Sequence, residues 1–173
     1  MRLSAVRHGE YILAKIVDTN GYWAEAIGKG FVAFGSIEHT VVVCLRTIQK
    51  DSIPKFSKSL KLRQRIELLL ELLEPHVQPE CLDLAEKLRL AKTLSETRNL
   101  IAHNPLVLEI YEDGKGGYAF GESISAIHKV GHKITLAETQ DFAEKSEQLA
   151  RDFISVSISR LLKYCSRTEK TVV

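Results

Sequence analysis

Six consecutive residues bring a guanidinium and an imidazole together at a spacing that suits phosphodiester chemistry. They run from Arg98 to His103 and are followed by Asn104 and Pro105. A histidine can transfer protons near neutral pH, and an arginine can offset the charge on phosphate oxygens. We interpret the segment as a candidate site for metal-independent cleavage of a phosphodiester. In this interpretation Arg98 is the phosphate clamp, and His103 is the general base or acid.

The residues around this motif predict a helix that ends at the histidine. Upstream, apolar residues recur at helical spacing, and Pro105 disfavours helical geometry for Asn104. On an ideal helix, about 140° separates Arg98 from His103. The two side chains therefore cannot easily hold one phosphate from a single straight helix. Two arrangements stay open: the helix end unwinds, or the pair is completed across a dimer.

Two further side chains are expected to support the motif. Glu38 lies at the centre of an apolar arc on an earlier helix, and a buried guanidinium needs an acceptor, so we expect Glu38 to be the buried partner of Arg98. Asn99 precedes His103 by one helical turn, so Asn99 can hydrogen-bond to the imidazole and orient it. A structural alternative is equally open, in which Glu38 and Arg98 only fix how two helices dock.

Four amphipathic patterns predict a mainly α-helical fold. Helices are expected at about residues 22–50, 57–73, 80–103 and 135–164, and Thr135 with Glu138 forms a capping box before the last one. Residues 106–134 alternate as strands do and contain a glycine-rich turn, which predicts a small β-hairpin or meander inserted between helices, with a bend or bulge at Gly121. The short connections between the helices indicate a four-helix bundle.

The chain has 173 residues and fits one domain. We expect residues 22–165 to form the helical domain, residues 1–21 to form an N-terminal arm, and residues 166–173 to form a flexible tail. The longest uninterrupted apolar stretch, 41–45, is too short to span a membrane. Arg7 and Glu10 interrupt any signal-peptide core. We therefore expect a cytoplasmic protein with no membrane partner.

Neither a metal nor a cofactor is expected. The three cysteines have no CxxC spacing, and His128 and His132 lack an acidic or cysteine partner at a useful distance along the chain. The net charge of +2 is too small for a generic polyanion binder. A local basic run contains Lys55, Lys58, Lys61, Arg63 and Arg65, of which Lys58, Lys61 and Arg65 are the candidate nucleic-acid contacts. We interpret the run as a solvated helix face, with weak nucleic-acid binding as the alternative.

The run Arg98-Asn99-Leu100-Ile101-Ala102-His103 resembles the Arg-x4-His signature of the HEPN superfamily, whose members commonly carry a polar residue directly after the arginine. The resemblance is specific over residues 98–103 and extends to helix order over about residues 22–164. It implies a homodimer in which the motifs of both subunits face a shared cleft. It also implies a metal-independent ribonuclease of a toxin or antiviral defence type, with RNA as substrate and a cognate antitoxin or regulator as partner.

The superfamily also includes members thought to be non-catalytic. A dimerisation or adaptor module that keeps Arg98 and Glu38 for packing is therefore the alternative function. In the toxin branch that pairs with a nucleotidyltransferase, a tyrosine lies two residues after the histidine. This chain has Pro105 there, so the resemblance does not extend to tyrosine modification.

Overall fold

The computed structural model describes residues 14–15, 18, 20–48, 59–112, 114–127 and 131–155. Within these ranges the elements are, in chain order, β1 (Ala14–Lys15), α1 (Tyr22–Ile48), α2 (Leu62–Leu73), α3 (Pro79–His103), β2 (Leu106–Glu112), β3 (Tyr118–Ser125), β4 (Lys133–Ile134) and α4 (Leu136–Ser155). The predicted mainly helical fold with strands between the third and fourth helices is confirmed.

Local signals in the sequence explain where the helices begin and end. Thr135 and Glu138 form the predicted capping box, because the Thr135 N–H donates to Glu138 Oε2 at 2.8 Å and the Glu138 N–H donates to Thr135 Oγ1 at 3.2 Å. The third helix ends at His103, since Asn104 has the extended backbone expected before a proline. The second helix begins at Leu62, later than predicted. Residues 49–50, 57–58 and 156–164 of the predicted helices lie outside the described ranges.

The β sheet contains a small meander of β2, β3 and β4, one of the two predicted forms, and β1 extends it. Its four strands form an antiparallel sheet in the order β1-β2-β3-β4, so Ala14 and Lys15 from the predicted N-terminal arm supply an edge strand. The ladder between β2 and β3 is regular, and Gly121 pairs directly with Glu109. The predicted bend or bulge at Gly121 is therefore wrong, because a strand glycine is compatible with both a bulge and a regular ladder.

One apolar core joins the helices to the sheet. Its fully buried side chains include Trp23, Phe34, Ile37, Val41, Ile66, Leu69, Leu88, Ile124, Phe142 and Leu149. By length and composition alone, the segment Tyr22–Thr47 could cross a membrane, a criterion that core helices of soluble proteins also meet. Phe34, Ile37 and Val41 of this segment are fully buried in the core.

Close packing between α1 and α4 depends on Gly30. A Cβ atom at this position would lie 2.5 Å from Phe142 Cε1 and 3.3 Å from the Ala143 Cα atom. The Phe142 ring is 1% exposed and cannot move into solvent without opening the core. Gly30 therefore serves helix packing, in agreement with the position of the Gly28-Lys29-Gly30 run inside a helix and not in a phosphate-binding loop.

We expect Gly30→Ala to lower the free energy of unfolding by about 1–3 kcal/mol, because the added methyl group overpacks the contact with Phe142. Gly28→Ala is the matched control, since no heavy atom of another described element lies within 4 Å of its Cβ position. That control should raise stability by about 0.5–1 kcal/mol, because alanine favours a helix more than glycine does. Urea unfolding measures both values, and equal effects would contradict the close contact.

One acidic side chain is buried in the sheet. Glu109 on β2 is 4% exposed, and its Oε1 atom accepts from Lys133 Nζ at 2.7 Å and from Ser123 Oγ at 3.3 Å. The Lys133 side chain on β4 is 27% exposed and so reaches water in part. Because β3 separates β2 from β4 in the sheet, this ion pair connects two strands that share no backbone ladder.

Candidate functional site

The end of α3 presents His103 to solvent. His103 is the last residue of the helix, and its side chain is exposed. Capping of the last carbonyls, a frequent role for a histidine at this position, is performed by the next residue: Asn104 Nδ2 donates to the Leu100 carbonyl at 2.7 Å. Among the described residues, none forms a hydrogen bond or ion pair with the His103 imidazole. The imidazole is therefore available to a ligand.

Asn104 also connects the helix to the sheet. Its Oδ1 atom accepts from the Ile127 N–H at 2.9 Å, and the neighbouring Ala126 N–H donates to the His132 carbonyl at 2.9 Å. We call this arrangement the Asn104 clip, because it joins the end of α3 to Ile127 and, through the adjacent Ala126, to the backbone of His132. This role of Asn104 was not predicted from the sequence. The sequence feature that could have indicated this role is an asparagine placed directly before the proline that ends the helix.

A groove of about 990 Å³ opens beside the end of α3. Its walls are formed by α2, α3, α4 and the β3–β4 connection, and its titratable and charged lining residues are Arg63, Glu96, His103, His132, Glu138, Asp141 and Lys145. Asn99 and Asn104 line it as well. The structure thus brings Asn99 and His103 to one surface, as the motif spacing predicts, and it adds His132, which the sequence analysis discounted.

The acidic and basic side chains of the groove, apart from the histidines, form ion pairs or a helix cap. Arg63 Nη1 lies 3.6 Å from Glu96 Oε1, and Lys145 Nζ lies 2.7 Å from Asp141 Oδ2. Glu138 belongs to the capping box that starts α4. These pairs are exposed and contribute little to stability, but they partly neutralise the groove.

The two imidazoles decide the sign of the charge in the groove. Two cationic and three acidic side chains line it, so its formal charge is one negative when His103 and His132 are neutral. The formal charge becomes one positive when both imidazoles carry a proton. Neither imidazole forms a hydrogen bond or ion pair with another residue in the part of the chain that the structure describes. Attraction of an anion to this groove therefore depends on the protonation of histidine.

Arg98 does not line the groove. Its side chain is half-buried, and its Cζ atom lies 5.4 Å from the centre of the Phe31 ring on α1, which is within the range of a cation–π interaction. Arg98 Nη1 donates to Asn99 Oδ1 at 3.2 Å. Arg98 is thus separated from His103 but touches Asn99, a residue of the groove wall, as the angular divergence on the helix predicts.

The predicted buried pair between Glu38 and Arg98 is wrong. Among the described residues, no carboxylate lies within 4.0 Å of the Arg98 guanidinium, and Glu38 is half-buried. The physical reason is that the face of Phe31 accommodates the cation without removing a carboxylate from water. Glu38 is therefore not part of the candidate site.

The predicted hydrogen bond from Asn99 to His103 is not formed either. The Asn99 Oδ1 atom accepts from the preceding arginine instead, whose long side chain reaches the adjacent residue. Asn99 therefore connects Arg98 to the groove wall and does not orient the imidazole. A choice between two acceptable partners depends on side-chain rotamers, which sequence spacing does not determine.

The basic run contributes one described residue to the groove, and it is not one of the three candidate contacts. Lys61 is the N-cap residue of α2 and is exposed, and Arg65 is half-buried; neither lines the groove. Arg63, which lies between them in the sequence, does line it. Lys58 lies outside the described residues.

Arg63 also helps to fix α2 against α3. Hydrogen bonds from Lys92 and then from Arg63 hold the pKa of the Glu67 carboxyl below its usual range. Lys92 Nζ lies 2.8 Å from Glu67 Oε1, which joins the two helices beside the groove. Elsewhere, burial raises the pKa of the Cys44 thiol to about 11, so Cys44 is a protonated core group and not a nucleophile.

Within the described ranges, no group of three or more histidine, cysteine, aspartate or glutamate side chains is placed to hold a metal ion. Comparisons with protein-family models, curated proteins and solved structures find no match to this chain. The functional interpretation therefore depends on the groove and on the resemblance of residues 98–103. The groove therefore contains two accessible imidazoles, and its other charged side chains form ion pairs or a helix cap.

Proposed function

We propose that this chain is a cytoplasmic, metal-independent endoribonuclease of HEPN type that acts in a toxin or antiviral defence system. The observation that carries the proposal is the exposed imidazole of His103 in the groove. A histidine that only stabilised the helix would cap the last carbonyls, and Asn104 already performs that task. The six-residue resemblance supports the same function. A cognate antitoxin or regulator would act by covering the groove.

The substrate supplies its own nucleophile in this proposal. The ribose 2′-hydroxyl attacks the neighbouring phosphorus, and His103 takes or returns a proton during the reaction. The products carry a 2′,3′-cyclic phosphate and a 5′-hydroxyl. DNA is not cleaved, because it lacks the 2′-hydroxyl.

The direct test uses purified protein, mixed-sequence RNA and an all-DNA control, each in excess EDTA. We expect cleavage of the RNA alone, with 2′,3′-cyclic phosphate ends identified by mass spectrometry. The rate should vary over roughly pH 6–8, the range in which imidazole groups ordinarily titrate. Absence of RNA cleavage, or cleavage that EDTA abolishes, would contradict the proposed function.

The proposal includes a homodimer. Arg98 does not line the groove of its own subunit, so the clamp on the phosphate must come from another source. The HEPN resemblance implies a cleft shared by two subunits, in which Arg98 of one could approach the groove of the other. The Arg98 side chain is half-buried, so part of it remains accessible for this contact.

We expect light scattering at tens of micromolar to give twice the 19.5 kDa mass of one chain. A monomer under these conditions, also at low salt, would remove the shared cleft from the proposal. Ribonuclease activity would then have to arise from the groove of a single subunit, with Arg98 outside the reaction.

One observation favours the alternative function, a non-enzymatic dimerisation or adaptor module. Arg98 rests on Phe31 and makes a contact that would serve packing alone. The two functions differ in what Arg98→Ala does to a protein that remains folded. Loss of RNA cleavage with the dimer intact supports the enzyme, whereas loss of the dimer without any cleavage by the parent protein supports the module.

A further inference from the structure

A second histidine faces the groove that contains His103. His132 follows Gly131, whose φ of 85° turns the backbone immediately before β4. The His132 side chain is exposed and lines the groove together with His103. Two accessible imidazoles in one groove are the groups that a metal-independent phosphodiester cleavage requires, because that reaction needs a base and an acid.

The Asn104 clip fixes the backbones that carry the two histidines. Asn104 directly follows His103 and accepts from the Ile127 N–H, while the adjacent Ala126 N–H donates to the carbonyl of His132. Two hydrogen bonds therefore join the end of α3 to the backbone of His132. Both imidazoles are supplied by one subunit, whatever a second subunit contributes.

We propose that His132 is a catalytic residue that shares proton transfer with His103, an inference that rests on the proposed function. The O2′–P bond forms as the P–O5′ bond breaks. One imidazole accepts the proton from the 2′-hydroxyl, and the other, initially protonated, donates its proton to the leaving 5′-oxygen. No other reactant is needed, and the net protonation of the pair does not change.

The surroundings of the pair are consistent with this division of roles. The charged groups that face the groove are Arg63 from α2, Glu96 from α3, and Glu138, Asp141 and Lys145 from α4. With one imidazole protonated, their formal charge and that of the histidines add to zero. The groove then neither repels a phosphodiester strongly nor requires a metal to admit it. The reactive state has one neutral and one protonated imidazole, so the rate should fall at both lower and higher pH.

The first experiment compares His132→Ala, His103→Ala and the control His39→Ala on the same RNA in EDTA. His39 is exposed on α1 and does not line the groove. We expect His132→Ala and His103→Ala each to lower kcat/KM by roughly 10²–10⁴-fold. Each should also remove one limb of the bell-shaped pH profile, whereas His39→Ala should change neither quantity. His132→Gln, which keeps a polar side chain, should lose as much, and urea unfolding verifies that each variant is folded.

The outcomes separate the two proposals. If His132→Ala cleaves RNA as the parent does while His103→Ala does not, the inference is overturned and the proposed function stands. If the parent protein does not cleave RNA at all, both are overturned.

The second experiment identifies the acid. In RNA with a bridging sulfur at the 5′ position, the leaving thiolate needs no proton, so loss of the general acid should matter little. We expect one of the two alanine variants to recover most of the parent rate on this substrate and the other to remain slow. Recovery of neither variant, or of both, would overturn the division of roles between His103 and His132.

Discussion

Replacement of His103 by alanine should lower the rate of RNA cleavage by roughly 10²–10⁴-fold, the usual contribution of a general acid or base. The free energy of unfolding should stay nearly unchanged, because the side chain is exposed and Asn104 caps the helix. Single-turnover cleavage in EDTA and urea unfolding measure the two quantities on the same preparation. A fall in rate that only matches a fall in the folded fraction would point to a structural role.

The control for this substitution must share its chemistry but not its position. His39→Ala removes an exposed imidazole from α1, away from the groove, and should change neither quantity. Asn104→Ala tests the support of the site, since it removes the side-chain hydrogen bonds to Leu100 and Ile127. Asn104→Ala should lower both the free energy of unfolding and the rate of RNA cleavage, whereas His103→Ala should lower only the rate.

Lys133→Met should lower the free energy of unfolding by about 1.5–3 kcal/mol, because it removes the ammonium that donates to the buried carboxylate of Glu109 at 2.7 Å. Methionine keeps the apolar part of the lysine side chain, so the loss of the charge dominates the effect. Glu109→Gln should be milder, since the partly exposed ammonium of Lys133 can be hydrated when its partner is neutral. Urea unfolding gives each value.

The double variant Glu109→Gln/Lys133→Met completes the cycle for this pair. It should recover part of the stability that Lys133→Met loses, because the buried group that has lost the lysine contact is then neutral. Effects that simply add, with no coupling between the two positions, would show that the ion pair does not determine the stability of the sheet.

The sequence predicted the parts of this fold that have strong local causes. The helix end at His103 follows from Pro105, and the start of α4 follows from the capping box at Thr135, so both were predictable. The edge strand of Ala14 and Lys15 was not, because a two-residue strand has no periodicity and exists only through its pairing with β2.

In the candidate site, too, some features follow from local sequence and others arise only through the fold. Asn99 and His103 reach one surface because their spacing on a helix places them there. The partner of Arg98 could not be predicted, since a cation on an apolar arc can be satisfied by a carboxylate or by an aromatic face. His132 was discounted because it lacks a partner nearby in sequence, whereas the groove joins it to His103 through the fold.

Asn104 and Pro105 together also determine how readily the Asn104 side chain deamidates. Asparagine residues deamidate when the backbone nitrogen of the next residue attacks the side-chain amide and closes a cyclic imide. The nitrogen after Asn104 belongs to proline and carries no hydrogen, so this route is closed. An aspartate at this position would set an oxygen against the Leu100 carbonyl, where the amide nitrogen now donates. The proline that ends α3 therefore also protects the amide that holds the wall of the groove throughout the lifetime of the protein.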